Sequence, residues 1–392
     1  MKKKAFVGFA LCACLGMTAC GGMGTGSSSS SIEEKTALKL EEVVDFVLDV
    51  EAGREVKILQ LTDIQIIDAA QQRYDGRLHS WSIGWWATEN MEKVAFQYMR
   101  EAVEAVQPDL IVLSGDNVYG EFDDAGTSLQ ALVAEIESYE IPWTLTFGNH
   151  DNETKKGMEW TCQQYMDAEH CLFTRGDIEN VEGNGNFNIG ITQGGVLTEV
   201  VWLMDSNGHT EQNLDENMYS KAGILPGQLA WFKERNELLK EYNGGVSPKS
   251  IGFFHHAPRA FGDAMATSYG YQSAKNAFMD EFGDWGVFEP ITIPENVNGD
   301  IGALNVDPSG YIDATYAFHE LLKEYGCEGW FFGHDHNNNA SAVFEGVRYT
   351  YGLKASTYDD YQDKQVGGTQ ILVGNGKKLS VQHIYTKLST AR

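Results

Sequence analysis

Five short apolar runs punctuate the chain, at residues 56–62, 110–114, 143–147, 251–254 and 330–332, and each ends on a cluster of Asp, Asn or His. The runs are rich in β-branched and aromatic residues and have the length of strands buried on both faces. Between them the apolar period lengthens to that of a helix: Tyr98, Met99, Ala102, Val103 and Val106 make one stripe, and Leu129, Leu132, Val133 and Ile136 another. Pro226 stands at a first helical position ahead of Leu229 and Phe232, and Phe318, Leu321, Leu322 and Tyr325 mark a helix leading into Trp330. Strand, helix, strand therefore recurs, as in a parallel sheet with crossover helices. Residues 186–191, 197–204, 340–344, 347–351, 370–373 and 379–385 read mainly as strands with few helices between them, which adds antiparallel pairs. Residues 176–195 and 282–310 are Gly-rich and irregular, and read as loops beside a site. The pattern alone predicts an α/β chain with two sheets and no internal repeat.

The polar clusters are Asp63-Ile64-Gln65, Gly115-Asp116-Asn117, Gly148-Asn149-His150-Asp151, His255-His256 and Gly333-His334-Asp335-His336. Following parallel strands, they line up along one sheet edge. Their oxygen and nitrogen donors suit Mn, Fe, Zn or Mg and outnumber what one ion can use, so two ions are expected. A Gly-Asp after a strand is by itself commonly a turn, and a lone HxH is weak evidence; the ordered series carries the inference.

The series resembles the calcineurin-like metallophosphoesterase pattern of DxH, GD, GNHD or GNHE, a lone His, and GHxH, over residues 56 to the C-terminal strands. Residues 148–154 and 115–119 look most like its purple-acid-phosphatase-related branch. The resemblance implies a four-layer α/β/β/α sandwich with two mixed β-sheets. It also implies metal ligands: Asp63, Asp116 and His336 for one ion, and Asp116, Asn149, His256 and His334 for the other, with Asp116 bridging. Gln65 stands where most relatives have His, either as a weaker neutral donor or as a hydrogen-bond partner of a metal-bound water. Tyr119 has the GDxxY spacing at which purple acid phosphatases present a phenolate to iron; an aromatic packing role competes with that reading. Of the His255-His256 pair, His256 precedes Ala257-Pro258 and matches the ligand, while strand alternation turns His255 to the opposite face as a hydrogen-bonded core residue. His150 is expected to face the substrate phosphate as a charge stabiliser or proton donor. Asp151 has either a structural role or that of orienting the His150 imidazole. The reaction so implied is hydrolysis of phosphate mono- or diesters, in which a hydroxide generated between two divalent ions attacks phosphorus in line.

The 392-residue chain is 42% hydrophobic, enough for a large core. Any cut between Asp63 and His336 would divide the proposed site, so one catalytic domain is expected over residues 55–388. Lys2, Lys3 and Lys4 followed by apolar residues 5–17 have the form of an export signal spanning residues 1–19. Cys20, with Gly21, Gly22 and a serine run after it, resembles a lipoprotein cleavage site and lipid anchor, with residues 20–54 as tether and lead-in. Met17 departs from the usual Leu, which leaves ordinary signal cleavage and secretion, or a site at Cys14, open. Cys162 and Cys171 are spaced for a small-loop disulfide or are free thiols.

A net charge of −27, or −30 without the three N-terminal lysines, argues against nucleic acid as an extended partner. It does not oppose a small phosphorylated substrate held by two cations. Weaker signals are Trp81, Trp85 and Trp86, as an aromatic wall or a loop anchor; His209 after an Asn-Gly turn; and Arg259, near His256. The expected activity is that of an extracytoplasmic, membrane-tethered phosphatase or phosphodiesterase. The competing reading is a surface lipoprotein that binds phosphorylated ligands with little or no turnover.

Overall fold

The computed structural model describes residues 37–68, 70–71, 91–208, 223–269, 317–359, 361 and 365–386. The signal and Cys20, Trp81, Trp85, Trp86, His209 and the loop at 282–310 lie outside them.

Two mixed sheets form the centre. Strands β1 (Phe46–Val50), β5 (Phe187–Gln193), β6 (Val196–Leu203), β7 (Ser250–Phe253), β8 (Cys327–Phe332), β9 (Ser341–Phe344) and β10 (Val347–Tyr351) make a seven-stranded sheet in the order β1-β5-β6-β7-β8-β10-β9. Strands β2 (Val56–Leu61), β3 (Leu110–Ser114), β4 (Trp143–Thr146), β11 (Gly367–Val373) and β12 (Ser380–Tyr385) make a five-stranded sheet in the order β12-β11-β2-β3-β4. Pairings β2-β3-β4 and β6-β7-β8-β10 are parallel; β5-β6, β9-β10, β2-β11 and β11-β12 are antiparallel.

Strand alternation divides the core into layers. Val201, Leu203, Phe253 and Phe331 share a buried cluster with Ile58, Val112 and Ile371 on the facing side of the other sheet. Their neighbours Trp202, Phe254, Trp330 and Phe332 pack on the opposite side with Phe232 and Phe318. Those last two belong to helices α5 (Pro226–Tyr242) and α7 (Ala317–Glu324), and α6 (Arg259–Tyr269) covers β9 and β10 beside them. On the outer face of the five-stranded sheet lie α2 (Met91–Val106) and α3 (Thr127–Glu137), which bury Met99, Ala102, Leu129, Leu132 and Ile136. Each large apolar side chain buried this way contributes about 1.5–3 kcal/mol. The result is the four-layer α/β/β/α sandwich with two mixed sheets that the sequence pattern and resemblance predicted.

Three features depart from expectation. A short helix α1 (Leu40–Val43) and β1 lie within the stretch read as tether and lead-in, and β1 pairs with β5 as an edge of the seven-stranded sheet. The readings of a loop at 176–195 and a strand at 186–191 overlap, and β5 takes seven of the loop's twenty residues, because Phe187, Ile189 and Ile191 alternate into the inter-sheet core despite the neighbouring glycines. Helix α4 (Gly157–Asp167), whose apolar period is weak, carries Cys162; this residue and Cys171 are both free buried thiols. Burial pushes the Cys162 thiol up to about 12, which suits an inert core residue.

Candidate metal centre

Asp63 and Asp116 each lie two residues past the ends of β2 and β3, Asn149 three past β4, and His255 and His334 two past β7 and β8. Since β2, β3 and β4 are parallel neighbours, as are β7 and β8, both groups of loops leave at carboxyl ends. Packing of the two sheets brings the groups together. Gln60, buried on β2, ties them by donating to Ser114 Oγ at 2.8 Å and to the Phe332 carbonyl at 3.1 Å.

The ligand loops need unusual backbone. Asp63, Gln65, Asp116 and His334 are left-handed, with φ of 52°, 48°, 49° and 77°. Each such residue costs on the order of 1–3 kcal/mol and persists only where surrounding contacts hold it. Here the contacts are Asp63 N to the Gly115 carbonyl at 3.1 Å, Gln65 N to the Asp116 carbonyl at 2.9 Å, and His334 N to both Asp63 carboxylate oxygens at 3.2 and 3.1 Å. Gly115 has φ +97°, and a Cβ there would lie 2.5 Å from His255 Nδ1. A Cβ at Gly148 would run into Asp116 itself.

Two sets of ligand atoms result, each within 4.8 Å of one another: Asp116, His255 and His334, and Asp63, Asp116 and His336. Asp116 belongs to both, as a bridging carboxylate must. Asn149 Oδ1 adds to the first set, 3.0 Å from His334 Nδ1. Asp63 and Asp116 are buried, and burial opposes their ionisation; His336 and His255 nevertheless hold Asp63 down to about 2, and His255 and His150 hold Asp116 well below the carboxylate range. Conversely, although burial opposes it, Asp116 raises His255 to about 9. The cluster thus favours positive charge between its carboxylates, which divalent ions held there would supply.

His255, expected to be a core residue on the opposite face, instead joins Asp116 and His334. Its Nδ1 donates to the Ser114 carbonyl at 3.1 Å, and its buried Nε2 lies 3.2 Å from Asp116 Oδ2 without making a hydrogen bond of good geometry. A ring held by its outer nitrogen, with the inner one aimed at a carboxylate, is the usual arrangement of a metal-ligating histidine. His256 is likewise held through Nδ1, which meets Ser206 Oγ at 3.0 Å, and its ring lies 4.4 Å from that of His334, so it stays beside the centre. The opposite-face argument fails because β7 ends at Phe253, before the pair. Ser206 was visible only as part of a turn.

Gln65 is engaged at both ends of its amide. Its Oε1 accepts from Lys354 Nζ at 2.6 Å, and its Nε2 lies 3.4 Å from Asp116 Oδ2. Nothing in the spacing of the clusters pointed to Lys354, 289 residues away.

His150 donates its backbone N–H to Asp116 Oδ1 at 2.9 Å, and its Nδ1 meets Glu153 Oε1 at 2.7 Å. Burial opposes its charged form, but Glu153 and then Asp116 outweigh that and raise the imidazole to about 10. The orienting carboxylate is therefore Glu153, not Asp151. Asp151 accepts backbone N–H groups from Asn117, Gly148 and Val118 at 2.9, 2.7 and 3.2 Å, which splices two ligand loops together. Tyr119 stacks on His150 with ring centres 3.8 Å apart and 24° between planes, a packing contact. Arg259 opens α6.

A strand-end centre with a shared carboxylate, on two face-packed mixed sheets, defines a metallophosphoesterase architecture. The family model for calcineurin-like phosphoesterases matches residues 56–338, and the chain belongs to that family. Among curated relatives it is 26% identical to the probable inactive purple acid phosphatase 29 of Arabidopsis thaliana over 76% of this chain and 71% of that one. It is 24% identical to the probable inactive purple acid phosphatase 28 of the same plant over 65% of this chain and 60% of that one. It is 27% identical to the phosphatase DCR2 of Saccharomyces cerevisiae over 40% of this chain and 28% of that one. A dimetal phosphatase structure from Danio rerio covers 85% of this chain at 11% identity, with a TM-score of 0.47 and all of its own length aligned.

Proposed function

We propose that the protein hydrolyses small phosphate mono- or diesters at this centre, outside the cytoplasm. The observation that carries turnover rather than binding alone is the His150–Glu153 pair seated on Asp116, with a buried carboxylate and a stacked Tyr119 fixing the imidazole. Two divalent ions, when bound by Asp63, Asp116 and His336 and by Asp116, Asn149, His255 and His334, supply a nucleophile at neutral pH and neutralise charge growing on the phosphoryl oxygens. Because Nδ1 is engaged by Glu153, His150 has Nε2 left to hold a phosphoryl oxygen or to pass its proton to the leaving oxygen. Asp151 keeps the loops of Asp116 and His150 in register.

The second reading, a ligand-binding protein with little turnover, draws on Gln65, whose amide oxygen is held by Lys354, and on relatives whose names call them probably inactive. Paired aryl phosphate monoester and diester substrates, assayed with Mn, Zn, Fe or Mg beside Asp116→Asn, separate the two. Metal-dependent turnover lost in the variant supports the hydrolase; tight ion binding with no turnover on either ester supports the binding protein.

The extracytoplasmic placement rests on Lys2, Lys3 and Lys4, apolar residues 5–17 and Cys20. Labelled palmitate incorporation that disappears in Cys20→Ala would support the lipid anchor; a protein that is exported without label would show simple secretion. Among the described residues no helix is long and apolar enough to cross a membrane.

A further inference from the structure

Lys354 is buried, 1% exposed, and its backbone is pinned on both sides. It bridges Thr62 and Val366, the next residue's N–H donates to the Thr62 carbonyl at 2.8 Å, and Gly367 N donates to its own carbonyl at 3.0 Å. The side chain therefore ends beside the first ligand loop, where Nζ donates to the Asp63 carbonyl at 2.9 Å and to Gln65 Oε1 at 2.6 Å.

An ammonium has three donors and no acceptor, so the Gln65 atom facing it must be the amide oxygen. The other end of the amide, an NH2 with no lone pair to offer a metal, is then the end turned toward Asp116, as the 3.4 Å contact from Nε2 to Asp116 Oδ2 shows. Turning the amide round would set NH2 against a buried ammonium and leave that cation short of an acceptor, a costly exchange away from water.

We propose, on the metal-centre reading above, that Lys354 locks Gln65 as a hydrogen-bond donor and so makes the centre unequal. The ion among Asp116, Asn149, His255 and His334 binds tightly, while the ion among Asp63, Asp116 and His336 has three protein ligands and exchanges readily. Gln65 then offers its NH2 to Asp116 or to an oxygen of the bound phosphate ester.

Titration of the metal-free full-length protein with Mn²⁺ alone, followed by calorimetry and by the Mn²⁺ electron paramagnetic resonance signal, tests this without any substrate. The parent should show two classes of site separated at least about tenfold, the scale at which an outer partner tunes a metal site. Gln65→Leu should leave the weak site within about threefold, because no ligand is removed. Lys354→Met frees the amide to turn, and should tighten the weak site about tenfold. The double variant Gln65→Leu/Lys354→Met should lose most of that gain, which separates the turned amide from simple removal of a charge. Two equal sites in the parent, a weak site lost in Gln65→Leu, or a Lys354→Met gain that persists in the double variant would each overturn the proposal. Mn²⁺ binding no tighter in the parent than in Asp116→Asn would instead sink the metal-centre reading itself. Circular dichroism confirms that each variant is folded, and Gln65→Leu decides the ligand question alone if Lys354→Met is not.

Discussion

Replacing Glu153 by Gln preserves shape and the contact to His150 while removing the charge that holds the imidazole protonated. Opposite charges 2.7 Å apart attract by about 6 kcal/mol at an effective dielectric constant of ~20. That is enough to offset the burial that otherwise disfavours the imidazolium. With Glu153 present, His150 keeps its proton up to about 10, so the role of proton donor is filled across neutral pH and is lost only as pH rises through that value. Without it the pKa falls, and the alkaline limb of kcat moves down with it. The variant-to-parent ratio of kcat should therefore depend on pH. At pH 8 the loss should approach that of His150→Ala, on the order of 10²-fold or more, and at pH 5 it should shrink to about threefold or less. The assay is kcat against pH for parent, Glu153→Gln and His150→Ala, with bound metal measured on the same samples. A ratio that stays constant from pH 5 to pH 9, or a loss that tracks missing metal, would refute the assignment of Glu153 as the group that holds the His150 proton.

The remaining predictions concern stability. Gly115→Ala meets both a left-handed backbone and the His255 ring, and should cost about 2 kcal/mol or more, against about 1 kcal/mol for Gly157→Ala, where φ is +77° but space is open; denaturant unfolding of the two compares them directly. Glu199 is buried on β6 with neither carboxylate oxygen hydrogen-bonded, and burial, then Glu328, raises it to about 8. Its folded pKa thus exceeds its ordinary 4.5, so stability falls as pH rises from about 5 to 8, by at most about 5 kcal/mol, and Glu199→Gln should flatten that slope in unfolding measured at pH 5, 7 and 9. His383 has the opposite sign: burial lowers it to about 4, with Nε2 donating to the Asn339 carbonyl at 2.8 Å and Nδ1 accepting from the Thr369 hydroxyl at 2.9 Å. Its contribution is complete above its ordinary 6.5 and is lost as pH falls toward 4, about 3 kcal/mol that His383→Gln should remove from the acid slope, with an unchanged slope counting against it.

Most of the architecture was legible because strands buried on both faces read as short continuous apolar runs, such as those holding Trp202, Leu203, Trp330 and Phe331, set between stretches of helical period. Strand β1 was missed because its pattern, half exposed at an edge, is short and follows a stretch that reads as a tether. The ligand set was legible where a residue immediately follows a strand. It misled at His255-His256, since two adjacent rings obey strand alternation only while the strand lasts, and β7 ends before them. Glu153 was passed over in favour of Asp151 because sequence adjacency favours the nearer carboxylate. On the turn after β4, however, the third residue on meets the imidazole, while the neighbour points back to the Gly148 amide. Lys354 lies beyond such reasoning altogether, since its position follows from the tertiary pairing of Thr62 with a segment 292 residues later.

The strained residues at the centre explain why that tertiary pairing matters. Asp63, Gln65, Asp116 and His334 would each relax from left-handed backbone if free, and an isolated ligand loop could not hold its donors aligned. Between the sheets, the Asp63 carboxylate accepts the His334 amide, and within the seven-stranded sheet the His255 carbonyl accepts the Gly333 amide. The Ser114 carbonyl accepts His255, and Gln60 spans from Ser114 to Phe332. The sheets are thus stitched together by the same hydrogen bonds that aim the ligands. Inter-sheet packing and these hydrogen bonds carry the backbone strain of the ligand loops. It also means that the ion affinity of the centre is coupled to the seam between the sheets, so a cavity made at Phe253 or Phe331 would reach the metal ligands without touching them.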